Sequence, residues 1–170
     1  MRTELHVSVN RELECIKSIA EALKRDGYNA SNSIVVTVST DYSSIAGQII
    51  RHELTHEGEI ADGFGVDVPY PDQQWDIRFV NEACSMFLLH RQAIGVKTII
   101  LVEAGVIRGS NYNSLINLMR QSLEMDNLII TTALFQSKGS AIECDYIAEY
   151  YDDKFNDLTF WWEKENNHWK

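Results

Sequence analysis

The chain has 170 residues, 45% of them hydrophobic and 24% charged, which fits one globular domain and excludes intrinsic disorder. Its formal charge of −10, from 15 basic and 25 acidic side chains, repels polyanions. That excludes a nonspecific nucleic-acid coat or an anionic membrane surface and leaves a small anion held by local donors. No apolar run approaches the ~20 residues of a membrane span. The opening residues, Met1 to His6, lead into mixed polar sequence instead of a leader, so a cytoplasmic location is expected. Cys15, Cys84 and Cys144 are far apart and form no CxxC pair, so reduced, buried thiols are expected.

In chain order, residues 1–33 form an N-terminal helical segment. Leu13, Ile16, Ile19, Ala20 and Leu23 fall at helical spacing within Glu12 to Arg25, and Asp26-Gly27 stops the helix. Ile34 to Ser39 is a short β-branched run that reads as a buried strand. After a turn, with Ser43 or Ser44 as N-cap, Ile45, Ile49, Ile50 and Leu54 mark one helical face. Residues 57–76 are polar and irregular, a long loop of the kind that is usually functional. Within it Tyr70 to Asp76 packs turn formers around Trp75, which reads as a lid over a ligand or as a pinned surface excursion. Phe79 to Arg91 looks helical, Thr98 to Val102 is a second buried strand, and a helix carries Leu115, Ile116, Leu118, Met119 and Leu123. Leu128 to Phe135 is a third strand.

Apolar strands alternating with helices predict an α/β, Rossmann-like, mostly parallel sheet covered on both faces. Residues 145–170 differ: rings from Tyr146 to Trp169, interleaved with acids, suggest a C-terminal aromatic hood closing the sheet edge. Glu149, Asp152, Asp153 and Asp157 lack ligand spacing and read as a solvated face. The whole chain, 1–170, is expected to be one domain.

Two motifs carry chemistry. After Val102 come Glu103, Ala104 and Gly105, then Arg108, Gly109, Ser110 and Asn111 ahead of a helix. Unpaired N–H groups at the helix start, a hydroxyl and a guanidinium can hold a phosphate there, and the acid can hold ribose hydroxyls or magnesium. An ordinary strand-to-helix turn is the alternative. The second motif, His52-Glu53-Leu54-Thr55-His56, is an HExxH pattern. On one helical face it would bind zinc through His52 and His56 with Glu53 polarising a water, or it simply ends a helix with dipole-compatible imidazoles.

The stretch Ile99 to Asn111 resembles the type I phosphoribosyltransferases, especially the xanthine-guanine branch, and the likeness spans residues 34–162. It implies that fold, with Glu103 positioning the ribose and a magnesium ion, and Arg108, Gly109, Ser110 and Asn111 holding the 5-phosphate. Ser39, Thr40, Asp41 and Tyr42 stand at the pyrophosphate loop. Lys138 stands where the purine oxygen is met, and Phe155 with Asn156 where the base stacks. The implied function is binding of a nucleotide, a nucleobase or phosphoribosyl pyrophosphate, with phosphoribose transferred between pyrophosphate and base, in a homodimer. The chain departs from the pattern at Ala104, Ile107 and Thr40-Asp41-Tyr42, so a non-catalytic nucleotide-binding or sequestering module stands beside the transferase. Asn81-Glu82-Ala83 resembles the second helix of thermolysin-like zinc peptidases, which implies Glu82 as third ligand to His52 and His56.

Overall fold

Ile34, Val35, Val36 and Val38 suit a pleated surface because their branched side chains are already stiff at χ1. They form a strand buried along its whole length, Ser33–Val38. The computed structural model describes residues 4–38, 43–66, 81, 84–89, 95–123, 129–152 and 157–161. In chain order the elements are β1 (Glu4–Val7), α1 (Val9–Arg25), β2 (Ser33–Val38), α2 (Ser43–Glu53) and β3 (Gly63–Val66). Then follow β4 (Thr98–Val106), α3 (Ser110–Leu123), β5 (Ile129–Ser137), β6 (Tyr146–Tyr151) and β7 (Asp157–Phe160).

Five strands run parallel in the order β3-β2-β4-β5-β6. Alternate side chains point to opposite faces, and both faces are covered. Ile34, Val36, Ile99 and Leu101 pack with Leu115 and Met119 of α3. Val35, Ile100 and Val102 pack with Ile16, Ile19 and Leu23 of α1 and Ile50 of α2. Ser8 caps α1 by accepting from Arg11 N at 3.3 Å, and Tyr112 pins α3 to the sheet, its hydroxyl donating to Leu101 O at 3.1 Å.

The sequence reading of a mostly parallel α/β sheet is what the chain adopts, with three differences. First, β4 does not end at Val102. It runs on to Val106 because β5 is equally long and keeps pairing, Gly105 with Phe135 and Val106 with Gln136. Second, the irregular stretch after residue 57 contains β3, an edge strand beside β2. Third, the described part of the expected hood does not close over the sheet edge. Residues 146–151 become the edge strand β6, and β7 leaves the main sheet to pair with β1 in a separate parallel ribbon.

The β5–β6 connection, residues 138–145, contains no helix, so its backbone polar groups need other partners. Gln136 Nε2 donates to Ile142 O at 2.9 Å, and Cys144 N donates to Gln136 Oε1 at 3.2 Å. Thr131 N and Oγ1 both donate to Asp145 Oδ2 at 2.8 Å. Side chains of β5 thus staple the returning chain along the strand.

Candidate functional site

The longer β4 shortens the loop that follows it to Ile107, Arg108 and Gly109 before α3 opens at Ser110. Gly109 has φ +76°, a left-handed conformation that side chains disfavour, and a Cβ there would lie 2.7 Å from Ser140 Oγ and 2.9 Å from Ile142 Cγ1. Asn113 N donates to Gly109 O at 2.8 Å, which starts the helical ladder. Arg108 O accepts from Ala141 N at 3.0 Å, tying the turn to the β5–β6 connection. Arg108, Ser110 and Asn111 are exposed. The turn is therefore an open rim at the C-terminal edge of the central strand, not a packed interior bend.

Glu103 lies inside β4, paired with Ala133, not at the first position of the turn. Its carboxylate folds back onto its own backbone, with Oε1 accepting from Ala104 N at 2.9 Å and Gly105 N at 3.4 Å. Ala104, beside it, is 3% exposed and offers no side-chain oxygen.

Next to the turn is an open cleft of about 540 Å³ lined by Gln136, Lys138, Ser140, Ile142, Glu143 and Tyr150. Ser140 and Ile142 also abut Gly109, so one wall serves both cleft and turn. Lys138 Nζ donates to Asp152 Oδ1 at 2.9 Å. Tyr150 donates its phenolic hydrogen to Glu143 Oε1 at 2.9 Å, and that bond raises the Tyr150 pKa by favouring the protonated phenol. Lys138 thus lines this recess, and Arg108 lies on the neighbouring turn, whose backbone is tied to Ala141 in the cleft wall.

Several expected site residues fall elsewhere. The HExxH reading needed His52 and His56 on one helical face, but α2 ends at Glu53. His56 instead exchanges backbone bonds of 2.9 Å with Glu59 in a tight bridge beyond the helix. Glu53, the proposed base, accepts from Lys24 Nζ of α1 at 2.7 Å, and that bond lowers its pKa. Among the described residues no cluster of three or more His, Cys, Asp or Glu side chains could hold a metal. Glu82, the pyrophosphate-loop residues Ser39, Thr40, Asp41 and Tyr42, the lid around Trp75, and the base-stacking pair Phe155 and Asn156 lie outside the described residues. All three cysteines are buried and free, and burial pushes the thiols up, to about 11 for Cys15 and Cys84 and about 12 for Cys144. None is a ready nucleophile.

No protein-family model and no curated protein sequence matches the chain. Its backbone is similar to that of Helicobacter pylori xanthine-guanine-hypoxanthine phosphoribosyltransferase, with a TM-score of 0.64 over 99% of this chain and 97% of that one, at 14% identity. Purine phosphoribosyltransferase from Pyrococcus horikoshii aligns with a TM-score of 0.65 over 94% of this chain and 93% of that one, at 15% identity. The chain has the fold of the type I phosphoribosyltransferases. A hypothetical protein from Neisseria gonorrhoeae with bound ppGpp also shares the phosphoribosyltransferase fold seen here, with a TM-score of 0.65 over 99% of this chain and 96% of that one, at 13% identity.

Enzymes of the phosphoribosyltransferase fold typically use magnesium, which takes oxygen ligands, commonly one or two carboxylates together with substrate phosphates. The residues of this chain do not fit it well. The acid expected to meet the metal, Glu103, lies inside β4 and is engaged by its own backbone, and its neighbour is the buried Ala104. Sequence reasoning also missed Glu143 and Tyr150 as cleft residues, and Asp152 as the partner of Lys138. Their position is visible only once β6 is known to pair with β5.

Proposed function

We propose that this protein binds a purine nucleotide or a related phosphoribosyl compound, with its phosphate at Arg108, Gly109, Ser110 and Asn111 and its base toward Lys138. The observation that carries the reading is the shared wall. Ser140 and Ile142 lie against Gly109 and also line the cleft that contains Lys138, so a ligand with an anionic end and a heterocyclic end meets both.

The chemistry of the turn supports the anionic end. Backbone N–H groups at the start of a 14-residue helix carry partial positive charge, and an exposed guanidinium stands beside them. With a net charge of −10, long-range attraction contributes nothing, and capture depends on these donors at contact range. The comparisons supply the ligand class: a Leishmania tarentolae enzyme of this fold is described in complex with GMP, and the Neisseria protein with ppGpp.

Binding without transfer is the outcome the donor set favours, because Glu103 and Ala104 give poor support to a metal-bound pyrophosphate. Transfer of phosphoribose from phosphoribosyl pyrophosphate to a base is the second reading, favoured by the named activity of several proteins of this fold.

Titration calorimetry with GMP and with phosphoribosyl pyrophosphate tests the proposal. The wild-type protein is expected to bind at least one of them, and Arg108→Ala to weaken that binding about tenfold or more, the scale of a lost charge-assisted hydrogen bond. Failure to bind either ligand, or unchanged binding in Arg108→Ala, overturns it. Pyrophosphate release in the presence of guanine and magnesium separates transfer from binding alone.

A further inference from the structure

Glu12 ties the two ends of the chain together. Its Oε2 accepts from Nε1 of Trp161, the residue after β7, at 2.9 Å. β7 pairs with β1, and β1 leads into α1, where Glu12 stands in the first turn. The carboxyl thus closes a circuit of β1, α1 and β7. It is 2% exposed, and Oε1 has no hydrogen-bond partner among the described residues. Charged groups on the surrounding elements are engaged elsewhere or lie in solvent. Arg11 pairs with Glu149 of β6, and Glu4 of β1 accepts from Thr159 of β7 at 3.2 Å. Lys24, at the far end of α1, meets Glu53 of α2, while His6 and Glu14 are exposed. Cys15 is a buried thiol pushed up to about 11, and β5 contributes the uncharged Phe135 ring, stacked under Arg11. Among the described residues Trp161 is the one donor that reaches Glu12.

We propose that Glu12 is a protonation-controlled latch on the β1–β7 ribbon: the neutral carboxyl holds the ribbon against α1, and the ionised carboxylate releases it. The neutral acid still offers Oε2 to Trp161 and puts no charge into the interface. The carboxylate accepts the same bond but has lost its water, with no cation to replace it. Opening the ribbon gives that water back. Burial pushes the docked carboxyl up to about 7, from the ordinary 4.5 that it regains when released. The docked state therefore binds a proton that the released state gives up, and docking weakens as pH rises. By linkage between those two values, the released population grows about tenfold from pH 6 to pH 8. The ribbon covers more than itself. Leu158 reaches over Gly105, Phe160 lies edge-on to Phe135 at 6.0 Å, and Ile107 of the turn before α3 packs on the same cluster. Release uncovers the end of β4 that carries the turn. The latch stands independently of the nucleotide reading.

Amide hydrogen exchange at pH 6 and pH 8, corrected for the intrinsic rates, tests this. In the wild-type protein, β1 and β7 are expected to be less protected than β2 and β4 at both pH values, the mark of a local opening. Protection in β1 and β7 should fall about tenfold from pH 6 to pH 8. In Glu12→Gln, which keeps an acceptor for Trp161 and cannot ionise, it should change less than about twofold. Trp161→Phe removes the donor that favours the charged form, so the fall should move to higher pH; this variant carries the test should Glu12→Gln fail to fold. Ribbon amides as protected as those of β2 and β4 would mean that the ribbon opens only when the whole molecule does, which overturns the inference. Ribbon protection independent of pH in the wild-type protein, or a tenfold fall that persists in Glu12→Gln, overturns it as well.

Discussion

Glu12 stands in the first turn of α1, where the helix dipole favours a negative charge, yet its side chain is almost fully buried, at 2% exposure. Burial wins: it pushes the carboxyl up to about 7, against the opposing effect of the 2.9 Å bond that Oε2 accepts from Trp161 Nε1. The other oxygen has no hydrogen-bond partner among the described residues. A carboxyl whose pKa is higher folded than unfolded favours folding only while protonated, so this site loses stability as pH rises from about 4.5 toward 7 and stays penalised above that. Glu12→Gln keeps an acceptor for Trp161 and removes the buried charge. Its stability should match or fall slightly below wild type at pH 4 and exceed it at pH 8 by on the order of 2 kcal/mol, as read by urea unfolding at the two pH values. Arg11, one residue earlier, shows the opposite solution. Its guanidinium pairs with Glu149 of β6 and lies 5.5 Å from the Phe135 ring centre, so its charge is matched and Glu149 is not the free surface acid that its spacing suggested.

At the scale of elements, the proposed site lies where two connections meet. The turn into α3 and the unhelical return from β5 to β6 touch through Arg108 O, which accepts from Ala141 N at 3.0 Å, and through Gly109, which leaves no room for a Cβ. A methyl at position 109 would be strained by the positive φ and would press on Ser140 and Ile142. Gly109→Ala is accordingly expected to cost about 1–3 kcal/mol of stability and to weaken GMP binding, because the proposed phosphate turn and the cleft wall are displaced together. Thermal unfolding and calorimetry on the same sample check both effects, and a variant with reduced stability but intact binding would show that the two connections act separately. α2 teaches a related lesson. Its last turn contains His52, but the chain leaves the helix after Glu53, so a pattern that demands a four-residue helical interval is broken by where the helix stops.

At the scale of the whole molecule, the two ends of the described chain meet: β1 pairs in parallel with β7, Leu5 with Leu158 and Val7 with Phe160. This ribbon packs on the main sheet through Phe160, whose ring lies edge-on to Phe135 at 6.0 Å, and through Leu158, which reaches the space left by the absent side chain of Gly105. Leu158 is 6% exposed, so Leu158→Ala should cost about 2–4 kcal/mol. A loss well under 1 kcal/mol in chemical denaturation would mean that the ribbon contributes little to the fold. By itself the sequence determined the sheet class. Ile34 to Val38, Ile99 to Val102 and Ile129 to Phe135 are apolar runs bounded by turn formers and helices, and burial on both faces is their only favourable environment. It also made the turn at Arg108, Gly109, Ser110 and Asn111 legible ahead of α3, since these residues are consecutive and local backbone rules govern them. Only the tertiary structure decided where β4 ends, which strand forms each edge, and that Lys138 faces Asp152. Those outcomes come from pairing between segments far apart in the chain, and strand register follows from the energy of the whole ladder, which no single segment encodes.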